Sequence, residues 1–411
     1  MLMHRYSERT LLLLLAAVQF THILDFMVMM PLGQQLMREL TISPAGFSHL
    51  VGAYTISAGI VGLLTAPFMD RHDRKKILLV VYAGFTLGTL ACGLAHTAGQ
   101  LLVARAICGA FGGVSGATIM SIVSDIVPPQ RRAAGMGIIM AAFAVAAALG
   151  VPLGLYLAQK FRWEMPFLLV AGMGAVIWVL IAIMLPPVRG HLEETASHGF
   201  HTFWELLRDP NAGRALVFMS ALVMGHITII PLLAAYLVSN AGLPEDKLFL
   251  IYLVGGVSSA FTAPMFGKLA DRRGHMRIYT MLIVMACLVT LMLTNAPRLP
   301  VWVVLLLAAG FFTFASGRFI PAQAIVSMAV HSKRRGSFMS LSSCTRDLTT
   351  GFTTSLGGWI VTKTPSGELV HYNILGWIAV GVSLFSLWLA RRVQANEIHQ
   401  PAFANPEPVV E

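Results

Sequence analysis

Long apolar runs separated by short polar breaks dominate the chain from end to end. The hydrocarbon core of a bilayer takes about 20 apolar residues of helix. Segments of that order lie near 10–32, 46–69, 77–95, 100–126, 136–158 and 165–186. After a polar stretch they resume near 214–238, 248–270, 278–295, 301–329, 337–362 and 373–390. The breaks carry helix-ending residues: Pro128–Pro129, Pro186–Pro187, Pro297 and Pro365. The pattern predicts an all-α membrane protein with twelve transmembrane helices. The first run follows Arg5 and Arg9 as a signal peptide would, but it continues past Phe20 to Leu32 without a small-residue cleavage site, so it is read as a retained span.

The runs form two related sets of six. "MDRHDRKK" around Asp70 returns as "ADRRGHMR" around Asp271, an offset of 201 residues. "IVSDIVPPQRRAAGMG" from Ile122 returns as "IVSMAVHSKRRGSFMS" from Ile325, an offset of 203. Two blocks repeating at nearly one offset indicate a duplicated unit. The organisation expected is a six-helix bundle over 1–186, a linker over 187–213, a second bundle over 214–390 and a tail over 391–411. In the linker, Phe200, Phe203, Trp204, Leu206 and Leu207 suit a short helix lying at the membrane interface. His191, His198 and His201 also fall there without a carboxylate or cysteine at fixed spacing, so no metal site is expected.

Composition agrees with a lipid solvent. Apolar residues make up 56% of the 411 and charged residues 12%, with a mean hydropathy of +0.73; soluble domains run at about 45–50% and 25%. The net charge of +10 resides in loops rather than in a basic, aromatic groove, which excludes a nucleic-acid partner. With the N-terminus inside, the cytoplasmic loops hold twenty Lys and Arg against six outside, the other three of 29 being within spans. Positive charge marks the cytoplasmic side, so both termini are placed there, in what is read as a bacterial inner membrane. Cys92, Cys108, Cys287 and Cys344 lie within apolar runs as packing residues, with no disulfide or metal spacing.

Gly267–Gly274, GKLADRRG, resembles the signature loop of the major facilitator superfamily, G-x-L-A-D-R-x-G-R-[RK], with Gly267, Asp271, Arg272 and Gly274 in register. The loop between spans two and three keeps Asp70, Arg71, Arg74 and Lys75 but has Ala66 and Asp73 where the family has Gly. "LLVARAICGAFGG" resembles the fourth-helix pattern, with Arg105 four residues before Gly109. "GVPLG" (Gly150, Pro152, Gly154) and "RWEMPF" from Arg162 resemble the drug- and sugar-efflux (drug:proton antiporter-like) branch, although Val151 interrupts its Gly-Pro pair. The resemblance implies two six-helix bundles of the major facilitator fold moving by alternating access. Asp70, Arg74 and Asp125 are then expected to form a cytoplasmic latch between bundles. Loop charges that serve only topology are the alternative. Glycines on spans four and five let helices approach closely, and Pro152 removes a hydrogen bond and permits bending.

Ionisable groups within spans are functional suspects: Asp25, Asp347, Arg105, Arg318, Arg346, and the titratable His22 and His226. Asp25 and Arg105 lie about 7 and 5 residues from the outer membrane surface, close enough in depth to pair at about 1.5 Å per residue. Asp347 and Arg318 lie at similar depth from the other side, and structural and functional pairing are both open there. His226 is a relay, a substrate contact or a packing residue. The function these features suggest is proton-coupled efflux of a small, amphipathic or uncharged organic compound by a monomer. Uptake or facilitated diffusion is the alternative. "GVSG" at Gly113–Gly116 offers Ser115 as an intramembrane protease nucleophile, which would need a histidine from another span. No appended soluble domain argues for a sensor, no G-x-x-x-x-G-K-[ST] loop for an ATP-driven pump, and no cofactor is indicated.

Overall fold

The computed structural model describes residues 6–69, 71–128, 131–189, 199–331 and 334–395, without the side chains of 66–69, 133 and 199–203. In the first half, span one is α1 (Glu8–Val28), followed by the short α2 (Gly33–Glu39). Spans two, three and four are α3 (Pro44–Met69), α4 (Arg74–Gly93) and α5 (Ala98–Ile126). Span five is α6 (Arg132–Val145) continued through a π-helical turn, Ala146–Gly150, into α7 (Val151–Lys160); span six is α8 (Met165–Met184). The linker contributes α9 (Gly199–Arg208). In the second half, span seven is α10 (Pro210–Ile227) with α11 (Ile230–Ser239), and spans eight and nine are α12 (Leu248–Arg273) and α13 (His275–Thr294). Span ten is α14 (Val301–Gly317) with α15 (Phe319–Met328), span eleven α16 (Arg335–Ile360) and span twelve α17 (Tyr372–Ala390). An even number of spans puts the two ends of the chain on one face, called here the terminal face.

Local chemistry sets the helix starts. Ser7, Thr97 and Asp209 cap α1, α5 and α10, their side-chain oxygens accepting from the N–H of Thr10, Gln100 and Asn211; each cap satisfies a donor that the helix cannot. The π turn stands immediately before Val151–Pro152, so the bend expected from Pro152 takes the form of a widened turn. A Cβ on Gly150 or Gly154 would strike Leu24 or Val28 of span one, which explains both glycines by close packing. Between β1 (Thr362–Lys363) and β2 (Leu369–Val370), a small hairpin joins spans eleven and twelve.

Spans seven and ten lie where the sequence places them, each broken near mid-length, at Thr228–Ile229 and at Arg318. One sequence expectation needs correction. Span eleven is not an apolar run: eleven described helices are long and apolar enough to cross a membrane, and α16, 26 residues long, falls short in hydropathy. The reason is its neighbour. α16 packs along α3 at the junction of the halves, so one of its faces meets protein instead of lipid and can carry Ser, Thr and the half-buried Asp347. The approach is at backbone distance: a Cβ on Gly52 would lie 2.9 Å from the Gly351 carbonyl oxygen, and one on Gly351 2.8 Å from that of Gly52.

Away from the terminal face the halves are tied by polar contacts between described residues. Arg38 pairs with Glu245 at 3.4 Å, Gln159 Nε2 donates to the Glu245 carbonyl at 2.7 Å, and Trp359 Nε1 donates to His49 Nε2 at 3.2 Å. Span five also meets span eight closely, where a Cβ on Gly256 would be 2.9 Å from Ala147 and Ala148. The far face is closed.

Candidate functional site

Asp25 on α1 and Arg105 on α5 meet inside the first half, Arg105 Nη1 lying 2.8 Å from Asp25 Oδ2 with both side chains fully buried. Arg105 Nη1 also reaches the Asp25 carbonyl at 3.3 Å, and its guanidinium lies 4.4 Å over the Tyr54 ring from span two. Gly109 makes this possible: a Cβ there would stand 1.9 Å from the Tyr54 carbonyl oxygen. One turn on, Gly112 makes room for the Tyr54 hydroxyl and His22 Nε2, which would be 2.6 and 2.8 Å from its Cβ. The site is therefore carved by two glycines of span four.

Its polar atoms outnumber its bonds. Asp25 Oδ1, Arg105 Nε and Nη2, both ring nitrogens of His22 and the Tyr54 hydroxyl are buried without a partner, as are Gln19 Oε1 and Ser115 Oγ further along α1 and α5. Buried polar atoms are nearly always hydrogen-bonded, and a half-satisfied network is costly. Such a cluster is equipped to take water, a proton or a polar ligand.

Sequence depth misassigned the second pair. Arg318 is buried at the α14–α15 break, but its Nη1 donates to Ser383 Oγ of span twelve at 2.9 Å, not to Asp347. His226 lies beside it, stacked on Phe311 and edge-on to Phe319. Asp347 sits instead on α16 between Cys344 and Leu348, which pack against Gly59 of α3. Arg346 is exposed and bonds Ser343 Oγ at 2.9 Å. Ser115 forms no nucleophile–base pair, since its Oγ has no partner and His226 is in the other half.

On the terminal face, Arg74 pairs with Asp125 at 2.6 Å and donates to the Ser121 carbonyl, while Lys75 Nζ donates to the Ala182 carbonyl. Asp70 lies outside the described residues, as do His191 and His198. Between described residues the Arg74–Asp125 pair ties span three to span four, within one half, rather than half to half. Arg71, Asp271 and Arg272 are exposed and form no ion pair among the described residues.

Asp73 is the residue that sequence reasoning passed over. It caps α4, its Oδ1 accepting from Lys75 N at 3.0 Å and Val188 N at 3.1 Å and its Oδ2 from Arg189 Nε at 2.9 Å. One carboxylate thus ties the head of span three to the end of span six. The signal was present: an Asp directly before a helix that starts Arg-Lys-Lys. Burial pushes the Asp73 pKa up, but the Arg189 bond and the Val188 and Lys75 N–H groups outweigh it and leave it below the usual carboxylate value. A lowered folded pKa gives stability that is present above the unfolded value, about 3.9, and lost as pH falls through the folded one. Asp73→Ala is expected to cost about 0.5–2 kcal/mol at neutral pH. Thermal unfolding of the variant and the wild type should converge below about pH 4; a gap that persists in acid would assign the effect to packing.

The comparisons with known proteins follow this geometry. The Major Facilitator Superfamily model matches residues 15–317 and 260–411. The chain belongs to the major facilitator superfamily. It is 24% identical over 350 residues to the uncharacterized MFS-type transporter YceJ of Bacillus subtilis (strain 168), covering 85% of this chain and 88% of that one. To the putative transporter AraJ of Escherichia coli (strain K12) it is 26% identical over 251 residues, 59% of this chain and 61% of the other. Among solved structures, the inward-facing, unoccupied bacterial homolog of the human lysosomal transporter Spinster superposes with a TM-score of 0.73 at 17% identity, over 94% of this chain and 98% of that. The nucleoside transporter NupG gives 0.72 at 14% identity, over 93% and 99%. These likenesses establish the fold, and the superfamily makes the chain an integral membrane transporter of small solutes.

Proposed function

We propose that this superfamily member exports a small organic compound in exchange for protons, with Asp25 as the proton-carrying group. The observation that carries the reading is the Asp25–Arg105 pair, fully buried, covered by the Tyr54 ring and accompanied by unpartnered polar atoms. An arginine beside a buried acid favours its charged form, and burial favours the neutral one. When a rocking motion moves spans two and eleven past each other, Tyr54 and Asp347 shift, Arg105 loses part of its setting, and the carboxylate can take a proton from one side and release it to the other. Substrate binding in the same polar cluster competes with the proton. Efflux is favoured over uptake by the span-five glycines and Pro152 that resemble the efflux branch. The multidrug resistance protein fnx1 of Schizosaccharomyces pombe (strain 972 / ATCC 24843) is 33% identical over 135 residues, covering 33% of this chain and 25% of that one. The test is substrate-driven proton movement in liposomes under an imposed ΔpH. Substrate flux with no proton flux would make the protein a facilitator.

The membrane reading places the terminal face, rich in Lys and Arg, in the cytoplasm of a bacterial cell. Reporters active only outside the inner membrane, fused after Val188 or at the C-terminus, are both expected to be silent. Activity at either site would invert the topology.

A further inference from the structure

Two arginines are buried in the described spans, and the halves treat them differently. Arg105 of the first half meets the Asp25 carboxylate at 2.8 Å. Arg318 of the second half, 2% exposed, meets no acid among the described residues. Its Nη1 donates to Ser383 Oγ at 2.9 Å, and its Nε is buried without a partner. The hydroxyls beyond Ser383 are neutral: Ser386 donates to the Ser383 carbonyl at 2.6 Å and shares a 2.7 Å bond with Tyr279. A guanidinium carries five N–H donors and does not give up its proton in a protein, so it cannot become neutral on burial as a lysine can. A buried charge of this kind is destabilising until an opposite charge reaches it.

We propose that Arg318 binds the carboxylate of the transported solute, an organic anion with an apolar body, with His226 as its second polar contact.

The surroundings fit such a ligand. His226 comes from α10, where a Cβ on the adjacent Gly225 would stand 2.3 Å from the same Ser383 Oγ that takes the Arg318 bond. His226 Nδ1 is itself buried without a partner. The ring stacks on Phe311 at 5.8 Å between centroids and stands edge-on to Phe319 at 5.4 Å, so aromatic faces border the polar groups. His226 and Phe319 are half-buried, which leaves one edge of the cluster open. Both helices that supply it are interrupted there, span ten at Arg318 and span seven just after His226. Within a membrane, interrupted backbone stands where protein buries it or where it lines a cavity. Guanidinium and carboxylate make strong, charge-assisted hydrogen bonds, and the aromatic rings suit an apolar body. The sequence suggested an amphipathic or uncharged solute; Arg318 makes it an anionic one. The inference rests on the chain being a transporter of small solutes and holds whether or not Asp25 carries protons.

The test is thermal unfolding of the full-length protein in a neutral detergent, which reads binding without flux or proton movement. The probes are sodium butyrate, hexanoate, benzoate and phenylacetate, each against its own amide with an equal concentration of sodium chloride. At least one carboxylate is expected to raise the unfolding temperature, and its amide with chloride to leave it unchanged. Arg318→Gln is expected to shift that response at least tenfold in ligand concentration, and Arg318→Lys to keep more of it. Without ligand, Arg318→Gln is expected to unfold no lower than the wild type, since it has lost a charge that nothing in the chain balances. If no carboxylate exceeds its amide, if sodium chloride alone reproduces the rise, or if Arg318→Gln responds like the wild type, Arg318 binds no carboxylate. An unliganded Arg318→Gln protein that unfolds well below the wild type would show that the chain itself satisfies the arginine, and the proposed site would fall with it.

Discussion

Asp25→Asn is expected to bind substrate and to exchange it across liposome membranes, yet to move no protons and build no gradient. The amide keeps the size and most hydrogen bonds of the protonated acid but cannot release a proton. Asp25 is the only described acid within the first-half spans away from their ends, and it is fully buried against Arg105, so no neighbour stands ready to replace it. The expected loss is the whole of substrate-driven proton movement, measured with a pH-sensitive dye at matched protein amount. If the variant couples protons as the wild type does, Asp25 is structural, and Asp347 of span eleven becomes the candidate.

Arg105→Met should have the largest effect on stability. The pair is fully buried, and Arg105 bonds both the carboxylate and the carbonyl of Asp25. Replacing it by an apolar side chain of similar length leaves Asp25 with its charge uncompensated, a loss of about 3–5 kcal/mol for breaking a buried pair from one side. Adding Asp25→Asn removes the stranded charge, so the double variant should regain much of that loss; replacing both members of a buried pair is often close to neutral. Denaturant or thermal unfolding of the wild type, both single variants and the double closes the cycle. A double variant no more stable than Arg105→Met would mean that the arginine acts through packing on Tyr54, and the electrostatic account of the site would fall with it.

The two halves solve corresponding problems with different groups. Asp25 plus 201 is His226, so the buried acid of span one stands where span seven has a histidine packed between Phe311 and Phe319. Ser115 plus 203 is Arg318, whose partner is Ser383 rather than an acid. Duplication kept the helices and released the side chains. On the proposed reading a group that changes charge during a cycle is needed in one half only; among the described residues more buried polar atoms lack a partner on spans one, two and four than at Arg318 and His226.

The number of spans, the internal repeat and the suspects within the membrane were legible in the sequence, because each depends on residue type along one axis. Twenty apolar residues mark a helix in lipid whatever it packs against, and an acid at a given position has a depth whatever it faces. Depth brought Asp25 and Arg105 to one level, and tertiary structure turned them toward each other across 80 residues of chain. The same reasoning paired Asp347 with Arg318 wrongly, since rotation about the helix axis decides which neighbour a side chain meets and depth carries no rotation. Span eleven read as an apolar run for a related reason: its hydroxyls bond back to their own helix, as Thr345 and Thr350 do, or to α10, as Thr349 does to Ser220, while α3 of the other half covers one face. Asp73 showed itself as a possible cap, but its bonds to Val188 and Arg189 bridge more than a hundred residues, and only the folded chain brings the end of span six to the head of span three. Composition and periodicity report the solvent of each segment; contacts between segments come from the packing that excludes it.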